Sequence, residues 1–162
     1  MNARGKSWWT PLGAALAGLA VATGAIAAHG IDSYLAESHE SQTRSIAGVP
    51  VAAALKYLAD FKTASQYQSV HALGLIAIGI LSDRRRSRAL TAAGWLFVLG
   101  IALFCGSLYW LSLFAHVMTD EARRAVGLMA ATGGTSFIAG WFTFAVAVCP
   151  GRTSADDADT LL

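Results

Sequence analysis

Two histidines interrupt stretches that otherwise read as membrane-spanning helices: His29 in Ala27-Ala28-His29-Gly30, and His71 in Tyr67-Gln68-Ser69-Val70-His71. An imidazole can hold a metal, move a proton or hydrogen-bond a neighbouring helix. A titratable group at bilayer depth is costly, so it faces protein or water and marks a candidate site. Tyr67 and His71 are four residues apart, and Gln68 and His71 three, so on a helix all three share a face. Ser107 and Tyr109 supply hydroxyls from another apolar stretch. No carboxylate lies beside the histidines within these stretches, so neither a Ser-His-Asp arrangement nor a carboxylate–histidine relay is visible, although Asp32 and Asp60 flank the region. Cys105 and Cys149 fall on different helices at different depths, too far apart for a disulfide. No Cys-x-x-Cys spacing points to a metal, and His39 and His116 read as ordinary interfacial or loop residues.

The elements that position these residues follow from composition. The 162-residue chain is 55% hydrophobic and only 14% charged, well below the roughly 25% charge of a soluble domain. The apolar excess lies in four stretches, about 8–30, 66–82, 89–114 and 125–149. A helix needs about 20 apolar residues to cross the hydrocarbon, so the expected fold class is an all-α membrane protein, a bundle of four transmembrane helices. Residues 1–150 form one such domain, followed by a mobile cytoplasmic tail over 151–162. Ala25-Ile26-Ala27 has the form of a leader cleavage site, but the apolar run is long for one. Trp8-Trp9 reads instead as an interfacial anchor, and Thr10-Pro11 as a helix start with Thr as cap.

Charge placement orients the bundle. Asp83-Arg84-Arg85-Arg86-Ser87-Arg88 concentrates four arginines in one short loop, which the positive-inside rule assigns to the cytoplasm with both termini. The expected location is a bacterial-type inner membrane. Residues 31–50 are polar and end at Pro50, so they read as a surface loop on the outer side. From Val51 the pattern changes: Val51, Ala54, Leu55, Leu58 and Phe61 fall on one face, with the i,i+4 pair Lys56 and Asp60 opposite. This predicts an interfacial amphipathic helix over about 51–64, between spans one and two.

Counting residues from the arginine loop and from Thr10 places His29, Tyr67, Gln68, His71, Ser107 and Tyr109 in one outer layer. Thr132-Gly133-Gly134 joins it from span four. Small residues line the remaining contacts. Ala17, Ala20, Gly24 and Ala28 form a row on span one, Gly30 terminates that helix, Gly100 and Ser107 share a face, and so do Gly133 with Gly140 and Gly134 with Trp141. Such rows let membrane helices approach closely.

These segments resemble, in order, those of the family called domain of unknown function 423, which includes transmembrane protein 256. Gly24-Ala25-Ile26-Ala27-Ala28-His29-Gly30 is similar to its GAFGAHG motif, and Phe61 to Leu73 (FKTASQYQSVHAL) to its F-x-T-A-x-x-Y-Q-x-x-H-A-L segment. Leu103-Phe104-Cys105-Gly106-Ser107-Leu108-Tyr109 resembles LFSGSLY, and Gly133-Gly134 with Gly140-Trp141 its GG…GW ending. The resemblance implies a small four-helix membrane protein whose family has no established reaction. Cys105 stands where the family has Ser, Ala130-Ala131 where it has Thr-Pro, and the loop from Ile31 to about Pro50 is longer than its usual one.

The expected function is therefore a structural or interaction module, an accessory subunit of a larger membrane complex, and not an enzyme. In this reading His29, Tyr67, Gln68, His71, Ser107 and Tyr109 hydrogen-bond one another, while Gly24, Gly30, Gly100, Gly106, Gly133, Gly134, Gly140 and Trp141 pack helices. Lipid and other membrane subunits, or further copies of the chain, are the expected partners, and nucleic acid is not. No cofactor is expected. The alternative is a binder of quinone, lipid, haem or metal through the polar layer, with Cys105 a third ligand for a metal held by His29 and His71.

Overall fold

A computed structural model describes residues 6–40, 42–85 and 87–149. Helix α1 (Trp9–His29) leads through α2 (Asp32–Ser38) into a hairpin of β1 (Thr43–Ile46) and β2 (Val49–Ala52). The long α3 (Ala53–Arg84) follows, then α4 (Arg88–Gly100), a π-helical turn (Ile101–Cys105), α5 (Gly106–Phe114), a 3-10 turn (Ala115–Val117) and α6 (Asp120–Val148). The protein is mostly helical, and three runs are long and apolar enough to cross a membrane: Trp9–His29, Arg88–Val117 and Asp120–Val148. The tail expected over 151–162 lies outside the described residues.

Residues 31–50 are not a plain loop. Ile31 and Leu35 are apolar anchors, 4% and 0% exposed, and they draw α2 onto the bundle. The polar residues after them pair as an antiparallel hairpin, Thr43 opposite Ala52 and Ile46 opposite Val49. Its turn residues Ala47 and Gly48 have φ of 50° and 83°. Positive φ at both central positions is the two-residue turn whose twist matches paired strands, and Gly48 takes it without the penalty that Ala47 incurs.

The amphipathic helix expected over 51–64 and the span expected over 66–82 are one element. No Gly or Pro interrupts the chain between Ala53 and Gly74. The hydroxyls that might compete with the helix instead bond back to its own carbonyls, Thr63 to Ala59 and Ser69 to Ser65. At 1.5 Å per residue, α3 is about 48 Å long, more than the hydrocarbon thickness. Its first turns bury Ala53, Tyr57 and Phe61, whereas Leu55 from the expected apolar face is 64% exposed and Val51 belongs to β2. The Lys56–Asp60 ion pair does form.

Helix α1 runs antiparallel along α3. Its buried positions Gly13, Ala20 and Ala27 recur every seven residues, a seam offset from the expected row at Ala17, Ala20, Gly24 and Ala28. A Cβ on Gly13 would lie 2.7 Å from the Ala72 carbonyl, so the two backbones nearly touch. Near the other end Gly79 receives Thr10, whose hydroxyl is buried without a partner. Thr10 is therefore a packing residue and not the helix cap. Trp8 occupies the cap position, and the Ser7 hydroxyl accepts the Trp9 N–H at 3.4 Å. Run α4–α5 packs on both α3 and α6, giving the lateral order α1, α3, α4–α5, α6. Two apolar cores result: one around Trp9, Leu75, Ile78, Leu90, Phe97 and Phe137, the other at the hairpin end around Ile31, Leu35, Tyr57 and Phe61.

Candidate polar networks and membrane groove

The polar side chains inside the bundle close on one another in two separate groups. In the first, Gln68 on α3 donates its amide N–H to the Leu16 carbonyl of α1 at 2.9 Å and accepts the Tyr109 hydroxyl of α5 at 3.2 Å. The Tyr109 oxygen also lies 2.9 Å from the Thr23 hydroxyl. Each hydroxyl has one proton. Because the Tyr109 proton goes to Gln68, its oxygen can only accept from Thr23; the Ala20 carbonyl lies 3.0 Å from Thr23 and accepts from Ser65 at 2.9 Å. The consistent path is Thr23 to Tyr109 to Gln68 to Leu16, which ties α1, α3 and α5 together. Thr23 was legible: it is the only polar side chain between Pro11 and Ala28.

The second group is His71 and Trp141. Trp141 on α6 donates its indole N–H to His71 Nε2 at 3.1 Å, and His71 Nδ1 lies 2.7 Å from the Tyr67 carbonyl one turn earlier. Indole nitrogen only donates, and a carbonyl only accepts. His71 is therefore the neutral Nδ1–H tautomer, with both nitrogens occupied. Its ring lies flat on Phe137, centroids 3.4 Å apart, and edge-on to Phe97 at 5.2 Å. In this arrangement no lone pair is left on His71 for a metal or a haem iron.

The expected single layer is not what these contacts describe. His71 lies one turn from Gln68, which bonds Leu16, and Ala72 faces Gly13. His29 is 13 residues further along α1 than Leu16, about 20 Å along the axis, and is exposed. It makes no contact with His71. The displacement arises because α3 starts at Ala53, so Tyr67, Gln68 and His71 fall near its middle and not in its first third. Tyr67 is 45% exposed and packs against Phe104 with the rings tilted by 38°, centroids 4.9 Å apart. Ser107 is buried, but it lines a different depression with Gly106, Trp110, Val126 and Met129. The metal arrangement of His29, His71 and Cys105 is thus not assembled; the Cys105 side chain is buried in the apolar core.

Among the glycines, Gly100 and Gly133 are closely approached by Phe137 and by the Phe104 backbone, and a Cβ on Gly140 would meet Phe97 at 2.7 Å. Gly24 faces the Ser65 hydroxyl. Gly106 has open space around it, while Gly30 and Gly134 would gain only ordinary contacts, so those three do not act as close-packing positions. Trp141 is chiefly the partner of His71.

Helices α3 and α6 meet mainly through side chains, leaving a lateral groove of about 720 Å³. Tyr67, Val70, Phe104, Phe137 and Ile138 form its walls; His71 and Trp141 lie at one end, Gln66 and Thr135 towards the other. At the hairpin end the structure buries His39, 2% exposed, and sets it 5.5 Å from His116, ring centroid to centroid. Neither is an ordinary loop residue. Local sequence concealed this, polar around His39 and apolar around His116, since the two rings meet only where the segment after α2 folds against the turn after α5.

Residues 23–134 match the family described as Protein of unknown function (DUF423). A UPF0382 membrane protein of Staphylococcus epidermidis is 35% identical over 136 residues, 84% of this chain and 90% of the relative. One from Bacillus subtilis is 35% identical over 137 residues, covering 84% and 91%. One from Haemophilus influenzae is 33% identical over 127 residues, covering 77% and 80%. No solved structure matches the chain. With its apolar helices and these relatives, the chain belongs to the DUF423 family of membrane proteins of unknown function.

Proposed function

We propose that the protein is a non-catalytic four-span module of the bacterial cytoplasmic membrane that works by packing against another membrane protein or a second copy of itself. The observation that carries this reading is the closure of the polar groups at the centre of the spans. Gln68, Tyr109, Thr23, His71 and Trp141 satisfy one another and the backbone, which leaves no free nucleophile–base pair among them. The face of α1 turned away from α3 carries Ala14, Gly18 and Ala22 at four-residue spacing, with open space at Gly18. Such a face favours close helix association.

The fourth span rests on geometry. Helix α3 runs beside α1 from the Thr10–Gly79 contact to the cluster of Ala27, Ile31, Tyr57 and Phe61, which supports reading it as a crossing alongside α1. The arginines at 84–88 favour the cytoplasm for that end, and with it both termini. Cys149 is exposed at the same end. In a Cys105→Ala background, an impermeant maleimide should label Cys149 in inverted vesicles and not in intact spheroplasts; the opposite pattern reverses the topology.

The association itself is tested by native mass spectrometry from mild detergent. A stoichiometric protein partner or a dimer is expected, and Gly18→Leu should abolish it. A monomer in both samples overturns the reading. A second reading is favoured by the groove, whose volume lies in the ligand range of about 300–1,000 Å³. A quinone or lipid retained at one per chain, and lost in Ile138→Trp, would establish that reading instead.

A further inference from the structure

His39 and His116 carry two of the three buried side-chain polar atoms that lack a hydrogen-bond partner among the described residues: His39 Nε2 and His116 Nδ1. An unpartnered buried polar atom costs about 1–3 kcal/mol, so two on adjacent rings call for an explanation. The other His39 nitrogen, Nδ1, faces the Gln42 side-chain oxygen at 3.5 Å. An acceptor there sets the Nδ1–H tautomer and leaves a bare lone pair on the buried Nε2. A metal-binding histidine has this pattern, with its second nitrogen donating to an oxygen while the first points at the ion.

The spacing of the rings agrees. Two imidazoles that share one ion at about 2.0 Å per nitrogen, with about 120° between the bonds, have centroids about 5.4 Å apart. The observed separation is 5.5 Å, with the rings nearly perpendicular at 87°. The Ser112 carbonyl approaches the His39 ring without reaching hydrogen-bond geometry, and it supplies an oxygen for a third position. Charge narrows the choice of ion. The Arg44 guanidinium is held at the Tyr57 hydroxyl, 3.2 Å away, and Tyr57 lies against His39 with centroids 4.6 Å apart. Arg123 donates to the Ala115 carbonyl beside His116 and is ion-paired with Asp120, which offsets its charge. No group of three or more His, Cys, Asp or Glu residues able to hold a metal occurs among the described residues. The Arg44 charge nearby, with no carboxylate in the ligand set, disfavours a divalent ion and favours a monovalent one satisfied by two or three ligands.

We propose that His39 Nε2 and His116 Nδ1 together bind a late first-row transition-metal ion of low charge, Cu(I) by this chemistry, at the hairpin end of the bundle. The site joins the 3-10 turn at Ala115–Val117 to the segment after α2, so metal would pin the hairpin-bearing cap to the spans.

The test is anaerobic titration of the purified full-length protein in detergent, with Cu(I) supplied by a chromophoric bis-chelate as competitor. One copper per chain is expected, with nitrogen or oxygen scatterers at about 2.0 Å in X-ray absorption. His116→Ala should weaken binding roughly tenfold or more, with unchanged circular dichroism and chromatographic profile. His39→Gln, which keeps the bulk of the buried side chain, should do the same. His29→Ala, altering an exposed histidine, should leave binding unchanged. Failure to compete for Cu(I), equal binding in both variants, sulfur scattering, or displacement of copper by equimolar Zn(II) overturns the proposal.

Discussion

At the scale of single residues, hydrogen bonds between apolar helices decide what the polar side chains do. His71 and Gln68 are each buried with both side-chain functions satisfied, so they pin helices together instead of offering ligand atoms. Interhelical bonds in bilayers contribute about 0.6 kcal/mol on average and up to about 1.7. Tyr109→Phe breaks the path from Thr23 to Gln68, and a loss of about 1 kcal/mol is expected in thermal unfolding in detergent. Trp141→Phe keeps the aromatic packing but strips His71 Nε2 of its donor. A loss of similar size is expected, together with easier opening of the α3–α6 groove, read as faster hydrogen exchange in α6.

At the scale of elements, close approach of backbones sets which substitutions are tolerated. Gly133 lies against the Phe104 backbone in the π-helical turn, which cannot move aside as a flexible side chain would. Gly133→Ala should cost about 1–3 kcal/mol, as overpacking typically does. Gly106→Ala should be neutral or stabilise by up to about 1 kcal/mol, because its surroundings are open and Ala is the better helix former. A similar cost for both would show that the π-helical turn is not closely packed. The hairpin offers the opposite change. Ala47 carries φ 50°, which Asn tolerates far better in a two-residue turn. Ala47→Asn should stabilise the hairpin by about 0.5–1 kcal/mol, measured as slower amide exchange at Ile46 and Val49.

At the scale of the whole molecule, the hairpin end is the acid-sensitive part. Burial lowers the His39 pKa below its ordinary 6.5, and the charges of His116 and Arg44 lower it further, while the nearby Gln42 side-chain oxygen and Ser112 carbonyl oppose the shift. Tyr57 packs on the same ring. A histidine held neutral by folding contributes stability that is complete above pH 6.5 and is lost as pH falls through its lowered value. Metal-free protein should therefore unfold at lower temperature at pH 5 than at pH 7.5, with α2 and the hairpin exchanging first. His39→Gln should flatten that dependence. An unchanged dependence in the variant would locate acid sensitivity elsewhere.

Much of this molecule was readable from residue order. Apolar length predicts stretches at about 8–30, 66–82, 89–114 and 125–149, and long apolar helical runs occupy Trp9–His29, Arg88–Val117 and Asp120–Val148, because a hydrocarbon environment demands long runs with internally satisfied backbones. Glycine spacing pointed to Gly100, Gly133 and Gly140 for the same local reason, and side-chain spacing put Gln68 and His71 on one face. Depth was not readable, because it was counted from assumed helix ends. Once α3 proved continuous from Ala53, His71 moved level with Gly13 and away from His29. Whether a histidine is a free ligand or a satisfied one depends on which nitrogen meets which partner. Those partners, Trp141 for His71 and His116 beside His39, lie 70 and 77 positions away in the chain. Sequence alone determined a helical membrane protein and the close-packing glycines Gly100, Gly133 and Gly140, whose periodicities are local. Only the tertiary structure decided that His71 is closed and His39 is open, because hydrogen-bond satisfaction is a property of neighbours brought together by packing.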